Sequence, residues 1–284
     1  MLTDKVRRNA KGQIVSVNGK PCPKHLKVAI PPAWKKLCLD PDPSASLIAI
    51  GYDVKGRKQY LYSKEHKSDS TSRKFEKVRS LIEQHENIRS EIEEDINDHR
   101  TDYYTLEAAL IAYLIYETGI RPGSTADTLG DVKAYGATTL QLRHISPCPR
   151  GVRLKFVGKK GVKQNVLVTN PYLVDELIER KEKGTGWSQP VFDCSASKLR
   201  EYVHKLTGDF TPKDLRTMRG TLLAMELIEW RVRVPATKKG RKEIVNNMLD
   251  RVAAQLGNTR AVTRSAYVDP TVYERFAEQT QTNN

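Results

Sequence analysis

Tyr267 lies near the end of the sequence, in the string LGNTRAVTRSAYVDP (residues 256–270), and several arginines stand close to it. Most tyrosines in such a setting pack against a neighbour or lie at the surface. A tyrosine oxygen can also attack phosphorus and form a covalent intermediate. Nearby cations would favour this by stabilising the phenolate, whose unperturbed pKa is roughly 10. The string leaves a packing tyrosine and a nucleophile both open.

Phosphoryl transfer without a metal ion needs other groups besides the nucleophile. Fixed cations must balance the charge on the non-bridging oxygens, and arginine suits this because it is always charged and binds oxygens bidentately. A general acid must protonate the leaving oxygen. Candidates occur in ETGIRPGS, FVGKKGVKQN, TPKDLRTMRGT and the string around Tyr267, and they are Arg121, Lys159, Lys160, Arg216, Arg219 and Asn258.

Each candidate has an ordinary structural interpretation when it is taken alone. Arg121 follows an apolar run and could pair with a helix dipole. Lys159 and Lys160 could lie in a solvated turn. Asn258 follows Gly257, so it could belong to a helix end. Only the order of the whole set favours chemistry.

The net charge indicates a polyanionic partner. The chain has 48 Lys and Arg against 34 Asp and Glu, a formal charge of +14, which favours nucleic acid first and an anionic membrane surface second. Residues 1–75 hold 16 Lys or Arg and 6 Asp or Glu. No apolar run reaches the roughly 18 to 20 residues of a membrane helix, and no apolar core follows the basic N-terminus as in a secretory signal. We therefore expect a nucleic-acid partner and no membrane.

Cysteine spacing and known motifs give no sign of a metal or cofactor. The four cysteines are scattered without a CxxC pair, which indicates reduced thiols in an intracellular protein. The sequence lacks GxxxxGK[ST] and HExxH, and its only DxD, Asp40-Pro-Asp42, is flanked by prolines and predicts a turn. We expect no bound metal and no cofactor.

The N-terminal part of the chain predicts a small β-rich domain. Leu47–Tyr52 and Gln59–Tyr62 are strand-like runs joined by a turn over residues 53–57. HKSDSTS (66–72) is polar without an apolar anchor and predicts a linker. We therefore divide the chain into a DNA-binding domain at 1–71 and a catalytic domain at 72–284.

The remainder predicts a larger, mainly helical domain, which makes the fold class α+β. Residues 106–116 are apolar nearly all round, which is typical of a buried helix ended by Gly119. An apolar stripe over residues 244–256 predicts another helix, ended by Gly257. TTLQLRHI, VRLKFV and QNVLVT predict three strands, the last two forming a hairpin around GKKGVK.

Several strings in this order resemble the type IB DNA topoisomerases, and the small enzymes of bacteria and large DNA viruses most closely. The order of arginine, hairpin lysine, arginine, asparagine or histidine, and tyrosine is shared with tyrosine recombinases. The resemblance runs from about residue 25 to residue 275 and is carried by IPPAW (30–34), GYDVKGRKQYLYSKEH (51–66), TGIRPGS (118–124), FVGKKG (156–161), KDLRT (213–217) and LGNTRAVTRSAYVDP (256–270).

The resemblance implies a role for each of five residues. Tyr267 would attack the scissile phosphate and form a 3′-phosphotyrosyl link. Arg121 and Arg216 would bind the non-bridging oxygens. Lys159 would be the general acid for the 5′-oxygen, although the adjacent Lys160 stays open for that role. Asn258 would donate a hydrogen bond to a non-bridging oxygen; poxvirus enzymes have histidine there, whereas bacterial-type members carry asparagine.

The resemblance also implies a DNA-contacting strand in GRKQYLY. The matching residues are Gln59, Tyr60 and Tyr62, preceded by the basic Arg57 and Lys58. Strand alternation puts Tyr60 and Tyr62 on one face, where they could meet DNA or be partly buried in the domain core. The family implies a monomer that clamps duplex DNA and relaxes it by cleavage, swivelling and religation, without ATP or metal, inside a cell or virion.

Two other functions fit part of the sequence. A tyrosine recombinase shares the catalytic set, but recombinases usually carry HxLR where this chain reads KDLR, and their N-terminal domain is helical. A non-catalytic basic DNA-binding protein gives no reason for the ordered set. Both comparisons favour the topoisomerase.

Overall fold

The computed structural model describes residues 1–26, 30–229 and 235–278. The chain divides between Glu76 and Lys77 into two compact units, which we call unit 1 and unit 2. The division into a DNA-binding domain at 1–71 and a catalytic domain at 72–284 stays a prediction. No helix in the described part of the chain is long and apolar enough to cross a membrane.

Unit 1 contains two antiparallel sheets of three strands each, in the order β1-β2-β3 and β4-β5-β6. Leu26, Leu39 and Ala49 lie in its fully buried core. The predicted hairpin is confirmed, with Leu47 paired to Tyr62 and Ile50 to Tyr60. The strands are β1 Val6–Arg8, β2 Ile14–Val17, β3 Lys20–Pro21, β4 Lys35–Leu39, β5 Leu47–Tyr52 and β6 Lys58–Tyr62.

The predicted linker at residues 66–72 is wrong, because these residues belong to helix α1 (Lys64–Glu83). Their side chains are exposed apart from the half-buried His66. A helix that begins in solvent can be polar all round, and its apolar face appears only where it meets a core, here from Phe75 onward. The polar residues 66–72 therefore indicate that this part of the helix is exposed, and not that the helix is absent.

Unit 2 is mainly helical. Helix α3 runs through its core with every residue from Glu107 to Tyr116 buried, and Gly119 ends it with φ 67°, as predicted. The predicted apolar stripe forms α8, ended by Gly257 with φ 59°. The remaining helices are α2 His85–Asn97, α4 Thr125–Thr128, α5 Pro171–Lys183, α6 Ala196–Thr207, α7 Pro212–Glu229, α9 Arg260–Ala266 and α10 Thr271–Glu278, with α3 at Tyr103–Thr118 and α8 at Lys238–Leu256.

One antiparallel sheet, in the order β7-β8-β9, accompanies these helices. The strands are β7 Ile145–Cys148, β8 Gly151–Val157 and β9 Lys163–Val168. The predicted hairpin of the last two is confirmed.

The first strand predicted for this sheet, over TTLQLRHI, is wrong except at its last residue. Residues 137–139 and 142–144 form short 3₁₀ turns. Thr139 Oγ1 accepts from Gly136 N (2.9 Å), and His144 Nδ1 accepts from Gln141 N (3.0 Å). Side chains that bond to the nearby backbone in this way compete with strand pairing.

Candidate active site

The string around Tyr267 folds as a helix end, a turn and a second short helix. Thr259 caps α9, and Tyr267 directly follows its last residue. The Tyr267 nitrogen donates to Thr263 O (3.0 Å). The side chain is 9% exposed, so the ring is largely packed within unit 2.

The backbone of Tyr267 is held by helix α7. Thr221 Oγ1 donates to Tyr267 O (3.3 Å) and accepts from Asp269 N (3.2 Å). A Cβ at Gly220 would lie 2.6 Å from Tyr267 O, so only glycine allows this approach. Because α7 also carries Arg216, one helix positions both the tyrosine and a cation.

An ion pair between an exposed arginine and a buried aspartate stabilises the segment after Tyr267. Asp269 is 1% exposed and accepts from Arg79 Nη1 of α1 at 2.7 Å. The other carboxylate oxygen accepts from Thr271 N (3.0 Å), at the start of α10. Tyr267 therefore lies between two anchored helices. No pattern in the sequence identifies Thr221 or Arg79, and Asp269 stands out only as part of the string SAYVDP.

Arg216 is buried beside Tyr267. Its side chain is 2% exposed, and the guanidinium carbon lies 4.7 Å from the centroid of the Tyr267 ring. One terminal nitrogen donates to Gly119 O and the other to Leu256 O (2.7 Å). These carbonyls lie at the C-terminal ends of α3 and α8, where the helix dipole favours a cation.

The environment of Arg216 disfavours the positive charge of its guanidinium but does not remove that charge. Burial lowers the pKa of the Arg216 guanidinium to about 10; Tyr267 opposes the shift and the positive charge of Arg121 adds to it. The side chain is still a cation at neutral pH. Two cations held near one another in a buried place attract an anion.

Arg121 and Asn258 meet at the same place. Arg121 Nη2 donates to Asn258 Oδ1 (2.6 Å). The backbone of Arg121 is fixed by Ala137 N, which donates to Arg121 O (2.8 Å). Because the guanidinium only donates, the amide oxygen must face it, which leaves Asn258 Nδ2 to donate elsewhere.

Two donors in this cluster have no acceptor. Arg216 Nε and Asn258 Nδ2 are buried and find no hydrogen-bond partner among the described residues. A buried unsatisfied donor is costly and marks a place where a ligand can bind. We call Arg121, Arg216, Asn258 and Tyr267 the tyrosine cluster, and it offers two cations and two free donors to an anion.

Lys159 and Lys160 lie at the tip of the β8–β9 hairpin. Both are exposed, and neither makes a hydrogen bond or ion pair with the rest of the described chain. Lys160 adopts a left-handed backbone conformation with φ 63°. The structure does not place either lysine within the tyrosine cluster.

Arg219, the other arginine of TPKDLRTMRGT, points to a different place. Its Nε donates to Glu117 O (3.0 Å), and it forms an ion pair with Glu226 at 3.1 Å.

Within the described residues, no group of three or more His, Cys, Asp or Glu side chains could hold a metal ion.

In unit 1, strand β6 presents aromatic and basic side chains on one exposed face. Tyr60 and Tyr62 are 48% and 37% exposed, with ring centroids 6.4 Å apart. Lys58 Nζ lies 5.5 Å from the Tyr60 ring. Gln59 faces the other way and donates to Asp53 Oδ2 (3.2 Å), which also accepts from Arg57 Nε (2.8 Å).

Comparison with known proteins gives a consistent result. Residues 63–284 match the family model for the catalytic core of eukaryotic DNA topoisomerase I. The chain is 27% identical over 261 residues to DNA topoisomerase 1B of Acanthamoeba polyphaga mimivirus, covering 85% of this chain and 76% of that protein. It is 26% identical over 242 residues to DNA topoisomerase 1B of vaccinia virus (strain Copenhagen), covering 82% and 73%.

Proposed function

The chain belongs to the family of the eukaryotic DNA topoisomerase I catalytic core, and we propose that it is a type IB enzyme that relaxes supercoiled duplex DNA. The observation that carries this proposal is the tyrosine cluster, in which a tyrosine lies beside a buried arginine and two unsatisfied donors. The viral relatives named DNA topoisomerase 1B support the same assignment.

Cleavage begins when the Tyr267 oxygen attacks the scissile phosphorus. A bond forms between that oxygen and phosphorus, the bond to the 5′-oxygen breaks, and the DNA 3′ end becomes linked to the protein. The phenol gives up its proton, and the departing 5′-oxygen takes one up. The positive charge of Arg216, whose guanidinium carbon lies 4.7 Å from the centroid of the Tyr267 ring, stands beside the reacting groups in this mechanism.

The arginines and Asn258 stabilise the transition state in this mechanism. Negative charge develops on the non-bridging oxygens, and donors already fixed by the fold stabilise it without reorganising. Arg216 Nε and Asn258 Nδ2 are the donors left free by the protein. Arg121 adds a second cation and holds the Asn258 amide in the orientation that it needs.

The hairpin supplies the proton for the leaving oxygen. We assign this role to Lys159, with Lys160 as the alternative. An ammonium group at an exposed tip can approach a DNA strand that lies against the cluster, which is the geometric condition for general acid catalysis.

Religation reverses these steps. The tyrosyl phosphodiester keeps the energy of the broken bond, so attack by the 5′-hydroxyl restores the strand and frees Tyr267. Rotation of the free end between the two steps changes the linking number. The cycle needs neither ATP nor a metal ion.

Unit 1 contributes affinity for duplex DNA in this proposal. Lys58, Tyr60 and Tyr62 share an exposed face of β6, where they can meet phosphates and bases. Lysine and arginine contacts to phosphates release counterions, so binding should weaken steeply as salt rises.

Two further predictions are that the protein acts as a monomer and that it acts on DNA inside a cell or virion.

The test is relaxation of positively and negatively supercoiled plasmid in EDTA without ATP. Wild type should relax both and leave, after denaturant is added, a covalent link to a DNA 3′ end. Tyr267→Phe should do neither, whereas Tyr273→Phe, a matched change on α10, should retain both. A 3′ adduct without relaxation would favour strand exchange between specific sites, and the absence of any adduct would refute the proposal.

A further inference from the structure

Gln164 of β9 lies between two glycines that precede residues of the proposed site. A Cβ at Gly158 would be 3.1 Å from Gln164 Cγ, and a Cβ at Gly257 would be 2.5 Å from Gln164 Cδ. The Gln164 side chain is half-buried there. Gly158 comes directly before Lys159, and Gly257 directly before Asn258.

Both the Gly257 segment and the β8–β9 hairpin fix the close approach of Gln164 to the glycines. Gly257 has φ 59°, and a Cβ there would also overlap the Gln164 carboxamide oxygen. Glycine is therefore required at this position by backbone conformation and by the Gln164 side chain together. Gln164 itself is paired with Phe156 in the β8–β9 ladder, so the hairpin fixes the Gln164 backbone.

Backbone hydrogen bonds also hold the hairpin near its tip, where Val157 O accepts from Tyr135 N (2.8 Å). Within the turn, Gly158 N donates to Val162 O (2.8 Å) and Gly161 N to Gly158 O (3.0 Å). These bonds define the shape of the turn but not its place against unit 2. Gln164 packs on both the turn and the Gly257 segment, and its Nε2 donates weakly to Val162 O (3.4 Å).

We propose that Gln164 is a positioning residue that holds the lysine turn (Lys159–Gly161) against the segment that carries Asn258. This inference rests on the proposed function, since it assigns to Gln164 the placement of the general acid. The side chain acts by filling the space between the two glycines, so its length matters more than its amide.

The experiment measures single-turnover cleavage of two DNA substrates by the full-length protein. In one substrate the 5′ leaving atom is oxygen, and in the other it is sulfur. A thiolate leaves without a proton, because a thiol has a pKa of about 8.5. A defect in the general acid or in its placement therefore slows only the oxygen substrate.

Gln164→Ala should slow the oxygen substrate about 10- to 100-fold, part of the 10²–10⁴ that a general acid contributes, and leave the sulfur substrate near the wild-type rate. Lys159→Ala should show the same selectivity. Gln164→Met, which keeps the length of the side chain, should restore most of the rate on oxygen. Asn165→Ala, at the next position of β9, should cleave both substrates like wild type.

Other patterns would overturn the inference. Equal slowing of both substrates by Gln164→Ala would mean a general effect on the phosphate site or on folding, and no slowing of either would mean that Gln164 does not position the general acid. Failure of Gln164→Met to restore the rate would refute the packing argument even if the alanine variant were unstable. If wild type cleaves neither substrate, the proposed function fails, and this inference fails with it.

Discussion

Arg216 and Lys159 are both assigned to the reacting phosphodiester, yet the protein holds them in opposite ways. Arg216 is 2% exposed and is bonded to carbonyls at the ends of α3 and α8. Lys159 is exposed at a hairpin tip without a hydrogen bond to any described residue. Unit 2 therefore builds the proposed phosphate-binding side of its site into the helical core and carries the proposed acid on the surface.

The difference follows from what each group must do. A cation that stabilises developing charge is most effective when it is fixed in a place without water. A general acid must reach the leaving oxygen of a DNA strand that lies outside the helical core, and an exposed lysine at a hairpin tip can do so. This division can be tested by how much cleavage is lost when each group is replaced.

Replacement of the exposed lysine should have the largest effect after loss of Tyr267 itself. Lys159→Ala is expected to slow cleavage of an ordinary DNA strand about 10²–10⁴-fold, while Lys160→Ala should have little effect. The two variants should keep the same melting temperature, because neither side chain packs in the core. Single-turnover cleavage measures the loss, and the reverse ranking would assign the acid to Lys160.

A conservative change of the buried arginine should be almost as severe. Arg216→Lys keeps a positive charge but cannot reach Gly119 O and Leu256 O while also presenting a third donor. We expect a loss of about 10²–10³ in the cleavage rate, similar to removal of one preorganised donor. Arg219→Lys on the same helix, paired with Glu226, is the matched control and should cleave normally. Near-wild-type activity of Arg216→Lys would show that charge alone is enough.

The amide of Asn258 should contribute less than either cation. Asn258→Ala removes one donor to a charged oxygen, which is worth about 1.5–3 kcal/mol, or about 10- to 100-fold in rate. Asn258→His keeps a donor and should recover much of that loss. The religation rate should fall in parallel, since both steps pass through the same charged phosphorus. A histidine variant as slow as alanine would contradict the donor role.

Replacement of the buried His144, which packs beside strand β8, should change stability and not cleavage. His144 is buried near the aromatic rings of Tyr135 and Phe156. Burial lowers the pKa of His144 to about 4, with Arg143 acting in the same direction. The unfolded chain, with a histidine pKa near 6.5, binds the proton first. The free energy of unfolding should therefore fall as pH decreases from about 6.5 towards 4 and be insensitive to this group above that range.

His144→Gln should flatten this pH dependence without changing cleavage much at neutral pH. Denaturant unfolding at several pH values measures the slope. An unchanged slope in the variant would show that another group is responsible.

The sequence predicted many of the elements because local patterns decide them. The all-apolar helix α3, the stripe of α8 and two β-hairpins follow from periodicity and from glycines that end helices. The two errors have different reasons. Residues 66–72 are exposed and polar although they lie in α1. Residues 138–144 alternate as a strand would, but they form 3₁₀ turns in which side chains bond to the nearby backbone.

By itself the sequence determined which residue types are available and in what order, and that order identified Tyr267, Arg121, Arg216 and Asn258 as one set. Only the tertiary structure decided their relations: which arginine of α7 lies beside the tyrosine, which donors remain free, that Thr221 bonds to the Tyr267 backbone, and that Gln164 lies against Gly158 and Gly257. The physical reason is that these contacts join residues far apart in the chain. Their distances depend on how helices and hairpin pack together, which no local pattern records.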